Sequence, residues 1–223
     1  MANDTRIPLG VLRIASTSGS VRVQAVAGLG EVSVDGAAIV FEGSGATVAA
    51  TSSRVAVRVP EGLDLLIGTS SGRVEVLGSV GSVAVVTTSG KVSVDEAMAV
   101  DIRTRSGKVD VDAVAGECRI IGGSGGVIVG RCGSAHVTTD SGRITLRDVN
   151  GAVHAHCASG RIDITMATAS DVDAETVSGR ISIAMPAGAK VRVDTPTSAA
   201  VAANGEHDCV VTTRSGSGRV VVG

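Results

Sequence analysis

The side chains with chemistry to offer are few, and they recur at a fixed spacing. His136, His154 and His156 fall in neighbouring segments, with Asp173 and Glu175 one segment further on. Imidazole beside carboxylate is a donor set that suits a transition metal. Cys118, Cys132, Cys157 and Cys209 are scattered and form no CxxC pair, so neither a zinc knuckle nor a dithiol redox centre is written here. Seven cations, Arg73, Lys91, Lys108, Arg143, Arg161, Arg180 and Arg219, each follow a Ser-Gly dipeptide. Stacked on one face, they would form a positive track for an anionic polymer.

A repeat positions these groups. The phrase Ser-Gly-basic followed by apolar-x-apolar runs through Ser71-Gly72-Arg73-Val74-Glu75-Val76, Ser106-Gly107-Lys108-Val109-Asp110-Val111 and Ser159-Gly160-Arg161-Ile162-Asp163-Ile164, among others. From Ser71 to Ser178 the steps are 18, 17, 18, 17, 18 and 19 residues. The step from Ser178 to Ser217 is 39, about two periods, and that from Ser18 to Ser71 is 53, about three. Each repeat holds two segments that alternate with period 2, the signature of strands with one buried face. Positions −6, −4 and −2 before each Ser-Gly are mostly Val, Ile, Ala, Thr or Cys, and positions −5 and −3 are mostly polar. No segment of this length buries its own apolar face, so the repeats must stack, each pairing its backbone with the next.

These features predict an all-β, single-domain parallel β-helix over residues 1–223, about twelve coils of 17–19 residues wound right-handed. Residues 1–50 form less regular coils and 51–223 the regular repeats. Val109, Val111, Ile144, Leu146, Ile162 and Ile164 should point inward, as should Cys118 and Cys157, and Arg143 and Arg161 should point outward. The glycine supplies the corner, and the serine hydroxyl can bond nearby backbone or the stacked serine above it. The serines are thereby structural, not nucleophiles.

Composition agrees with a narrow interior. Hydrophobic residues make up 43%, yet Phe41 is the only aromatic, with no Trp or Tyr, while glycine numbers 30. The net charge of −2 gives no basic field for nucleic acid. Met1–Pro8 carries no apolar signal core, no run reaches the ~18 residues of a membrane span, and unpaired cysteines suit a reducing compartment. The expectation is a cytoplasmic protein without a membrane span or nucleic-acid partner.

The phrase T-x-S-G-[RK]-[VI]-x-[VI], as in Thr69-Ser70-Ser71-Gly72-Arg73 and Thr104-Arg105-Ser106-Gly107-Lys108, resembles the bacterial "putative adhesin" domains of β-strand repeats. So do Val55-Ala56-Val57-Arg58-Val59-Pro60-Glu61-Gly62 and Ile181-Ser182-Ile183-Ala184-Met185-Pro186-Ala187-Gly188. A more distant resemblance is to bactofilins, cytosolic β-solenoids that polymerise end to end. The resemblance implies the solenoid fold and no particular activity.

Weighed against ordinary surface chemistry, the histidine face reads as solvated and no metal or other cofactor is expected. The basic ladder reads as neutralised by Glu75, Asp110 and Asp163 two positions along. No catalytic residue is assigned. Short connections leave no cleft, and a varying spacing is unlike the strict six-residue prism of hexapeptide acyltransferases. The expected function is a non-enzymatic scaffold or filament that assembles with itself through the solenoid ends, at Val220 and Val222 on one side and Val11 and Ile14 on the other. Segments that would instead close an end are Met1–Pro8, Phe41 with residues 37–50, and Asn204–Asp208. The alternative is an adhesin-type module that recognises an anionic polymer or cell-envelope partner.

Overall fold

Val, Ile and Thr at alternate positions, with glycine in nearly every ten residues, favour strands and disfavour helices. The structure, a computed structural model, describes residues 10–42, 45–51, 54–194 and 207–223. Among these residues there are strands and turns and no helix, hence no helix long and apolar enough to cross a membrane. Strands stack in parallel, coil on coil, as a β-helix-like solenoid. The chain divides into two compact units, Met1–Ala115 and Gly116–Gly223.

The first unit contains β1 (Val11–Ser18), β2 (Val21–Val26), β3 (Ser33–Asp35), β4 (Ala38–Glu42), β5 (Gly45–Ala50), β6 (Val55–Pro60) and the start of β7 (Asp64–Val149), a long run that bends at its Ser-Gly corners. Its stacking order is not the chain order. β1 pairs in parallel with β5 on one side (Ile14↔Val48) and with β7 on the other (Ile14↔Ile67). β2 likewise lies between β6 (Val23↔Val57) and β7 (Val23↔Val76). The first coil is therefore inserted between two coils made later. Beyond β5 and β6 the chain turns antiparallel: β4 covers β5 and β3 covers β6. The turn between those two covering strands is at Asp35-Gly36, where Gly36 has φ 84° and its α-carbon faces the Arg54 carbonyl too closely for any side chain.

The repeat predicts sequential stacking from the N-terminus, with Val11 and Ile14 at an open edge. The structure corrects this. Ile14 is 1% exposed in a strand paired on both sides, and although Val11 is 41% exposed, it belongs to the same interior strand. The region 37–50, considered as a cover, supplies β4 and β5. Met1–Pro8 and residues 204–206 lie outside the described residues.

The second unit contains the end of β7, β8 (Val153–Met166), β9 (Val172–Ala184), β10 (Val191–Asp194) and β11 (Cys209–Val222). The repeat register holds residue for residue: Ser141↔Ser159↔Ser178↔Ser217, and Ile144↔Ile162↔Ile181↔Val220. The 39-residue step is thus a direct neighbour pairing, because β11 inserts between β9 and β10.

Each interior is aliphatic. Val109, Val111, Ile144, Leu146, Ile162 and Ile164 are buried, and Cys118 and Cys157 are completely so. The buried polar side chains among the described residues are Ser16, Thr69, Thr87, Thr104, Thr139, Thr176 and Thr213, each two residues before a Ser-Gly dipeptide. Thr69 and Thr87 donate Oγ1–H to the carbonyls of Ser71 and Ser89 at 3.2 and 3.1 Å. Where it is made, this bond satisfies a buried hydroxyl and pins the corner; Thr104, Thr139 and Thr176 hold the same position with no hydrogen-bond partner for Oγ1 among the described residues. The serines bond both ways expected of them: Ser178 Oγ donates to Ser159 Oγ at 3.4 Å, and Ser18 Oγ donates to the Thr51 carbonyl at 3.4 Å.

Candidate functional site

The corners stack glycine on glycine. In the first unit a side chain on Gly72 or Gly90 would strike the backbone of Gly19 or Gly72, and in the second unit Gly142, Gly160, Gly179 and Gly218 each abut the glycine of the coil before. The residue after the glycine therefore emerges beside a bare backbone ridge. Arg143, Arg161, Arg180 and Arg219 occupy that position on four hydrogen-bonded strands, in direct register. Arg143, Arg180 and Arg219 are exposed and Arg161 is half-buried, a departure from the fully outward position its spacing predicts. With Gly142, Gly160 and Gly179 they line an open groove of about 590 Å³.

The two units treat their cations differently. In the first, Arg22 donates from Nε and Nη2 to Glu75 Oε2 at 3.0 and 2.7 Å, and Arg73 Nη1 reaches Oε1 at 3.4 Å. The Arg22 hydrogen bonds hold the Glu75 carboxyl below the usual carboxylate range, against desolvation and with the charges of Arg22 and Arg73 adding to the effect. Lys91 Nζ lies 3.8 Å from Asp110 Oδ2, whereas Lys108 is exposed and makes no ion pair among the described residues. In the second unit none of Arg143, Arg161, Arg180 or Arg219 makes an ion pair among the described residues, and neither does Asp163, the acid expected to neutralise them. Adjacent guanidinium groups at strand spacing repel by on the order of 1 kcal/mol per pair even in water.

The histidines gather on another face of the same unit. His136 pairs with His154 and His154 with Asp173, while His156 pairs with Glu175. The His136 and His154 rings are 5.9 Å apart and tilted by 48°. His154 Nδ1 lies 3.9 Å from Asp173 Oδ2 and His156 Nδ1 lies 3.5 Å from Glu175 Oε2. These are two separate couples along one face, and among the described residues no group of three His, Cys, Asp or Glu side chains converges on a point.

All four cysteines are free and buried. Burial pushes the Cys118 thiol far up, and pushes Cys132 up to about 11. Such thiols pack as small apolar groups.

The C-terminal edge is the other feature set apart. β10 pairs Val191–Asp194 with Cys209–Thr212, and so covers only the first four residues of the fourteen in β11. The end of the strand, Ser217–Val222, is hydrogen-bonded to β9 on one side and to no described strand on the other. Val220 and Val222 are half-buried and Val221 is 45% exposed, whereas their partners Ile181 and Ile183 are fully covered. The sequence expectation puts Val220 and Val222 at an end of the solenoid; among the described strands β10 lies outside β11, which the sequence hides because a four-residue strand after Pro186 and Gly188 reads as one more coil in order.

A search of curated proteins returned no match. Among solved structures the chain is similar to a "putative cell adhesion protein" from Clostridium sporogenes ATCC 15579, at 6% identity over 100% of this chain and 97% of that one, with a TM-score of 0.26. A family model matches residues 4–220, nearly all of a chain whose corners, registers and aliphatic interior repeat coil after coil, and the protein therefore belongs to the Toastrack DUF4097 family.

Proposed function

We propose that this protein is a non-enzymatic structural element that associates with a second copy of itself through the outer edge of β11. The observation that supports this is the contrast along one register column: Ile181 and Ile183 are sealed, while Val220 and Val222, one strand further out, are half-buried on a segment whose outer side pairs with no described strand. A strand edge with free N–H and C=O groups and apolar side chains is a template for another strand. Two copies related by a two-fold axis would pair Ser217–Val222 antiparallel and cover both sets of valines, an isologous contact that closes on itself. A closed dimer is favoured over a filament because the coil of β5 and β6 is already covered by β3 and β4, short strands of three and five residues. Short covering strands are a common defence against edge-to-edge growth. The four free, buried thiols suit a reducing, cytoplasmic setting.

Sedimentation across a concentration series tests the proposal. The wild-type chain should pass from monomer to dimer by tens of micromolar, and Val220→Lys and Val222→Lys should each keep it monomeric. A wild-type monomer throughout, or a dimer that both lysines leave intact, would defeat it.

A further inference from the structure

Four arginines stand in a row in the second unit, and none is paired with an acid among the described residues. The neighbouring position on the same face, two residues on, holds Thr145, Asp163, Ser182 and Val221 in the four strands, one acid against four cations. In the first unit the equivalent position holds Glu75 and Asp110, and both make ion pairs. The row spans three strand spacings, about 14 Å, and opens into the groove over the glycine ridge. Like charges held at this pitch lower stability, so their partner is best sought outside the chain.

We infer that this groove binds a linear chain of phosphate groups. A guanidinium presents a planar fork that meets a phosphate through two parallel hydrogen bonds, and Arg143, Arg161, Arg180 and Arg219 present four such forks in line. The ligand must therefore repeat its charge along its length. It must also carry that charge on its own backbone. The second unit has no aromatic residue, so a polymer that relies on stacking its bases or sugar rings finds no platform. Inorganic polyphosphate and polyol-phosphate polymers share the required chemistry. Only Arg219 lies in the segment of β11 proposed for self-association; Arg143, Arg161 and Arg180 lie on other strands, and the test variants are made there.

Fluorescence anisotropy of the full chain with labelled inorganic polyphosphate tests it, with glycerol-phosphate polymer, single-stranded DNA and heparin as competitors. Four contacts on a flexible chain should give a slope of log K against log salt of about −3, and Arg161→Gln/Arg180→Gln should halve that slope and weaken binding at least about 10-fold at low salt. Arg13→Gln/Arg58→Gln, the same charge change on exposed residues of the first unit, should leave binding within about 2-fold of wild type. Displacement by glycerol-phosphate polymer would identify polyol phosphate as a source, and its failure would single out polyphosphate; either supports the assignment. Equal losses in the two double variants, no loss in Arg161→Gln/Arg180→Gln, or displacement by DNA or heparin as strong as by the phosphate chains would overturn it.

Discussion

Val220 stands in register beside Ile181 on the adjoining strand, yet Ile181 is 0% exposed and Val220 is half-buried. The same column position is therefore core in one coil and edge in the next. Truncating Ile181 to Ala removes buried methylenes from a site with strands on both sides, and should cost about 2–5 kcal/mol. Val220→Ala, measured on the monomer, should cost less than about 1 kcal/mol. Urea titrations of the two variants check the contrast, and equal costs would mean that β11 is covered.

The glycine corners predict a second contrast. Gly142 has φ 131°, and a methyl group there would collide with the Gly125 carbonyl oxygen. Gly142→Ala combines a disfavoured backbone conformation with a backbone clash and should cost at least about 2 kcal/mol. Gly126, two residues after Ser124, has open space where its side chain would be. Gly126→Ala should be neutral or slightly stabilising, because it restricts the unfolded chain. Thermal melts that fail to separate the two would count against the stacked-ridge geometry.

The Glu75 cluster gives a pH signature. Its folded carboxyl titrates below its ordinary value, chiefly because Arg22 hydrogen-bonds to the ionised form. A depressed acid contributes stability above its unfolded value, about 4.3, and that contribution is lost as pH falls through the folded value. The pair lies at the surface, so Glu75→Gln should cost less than about 1 kcal/mol at pH 7. The deficit relative to wild type should shrink steadily below about pH 4 and vanish once the carboxyl is protonated. A deficit that persists in strong acid, about two pH units below the unfolded value, would assign the effect of the Glu75→Gln substitution to packing, not charge.

Much of this architecture is written in the alternation of Val and Ile and in the Ser-Gly punctuation. The burial of Ile144, Ile162 and Ile164 and the corner column of Ser141, Ser159, Ser178 and Ser217 follow from those two patterns. The order of coils does not, because a period says which residues can stack and not which copy stacks on which. Ser18 meets Ser71 directly, and the residues between them leave the column and return on its far side. The Asp35-Gly36 turn is the local mark of that departure. The arginine ladder is legible as a column, but its neutralisation is not. Asp163 sits at the proper spacing, yet whether a long side chain closes on its neighbour depends on rotamers that no spacing encodes.

The insertion of β1 between β5 and β7 also bears on how the chain folds as it is made. β1 is synthesised before either partner and finds them only at Ala46 and Asp64 and beyond, so its ladders close loops of 34 and 53 residues, against 18 for β7 with β8. Closing the longest of these costs about 1 kcal/mol more in chain entropy than closing the shortest. On an emerging chain β1 must wait until the start of β7 has left the ribosome before both its edges are paired. The second unit has only short steps until β11, and its nucleus can form locally from β8 and β9. The two halves of one repeat family should thus differ in folding speed, the later-made half forming its ladder faster once released and the earlier-made half spending longest with an aliphatic edge exposed to chaperones.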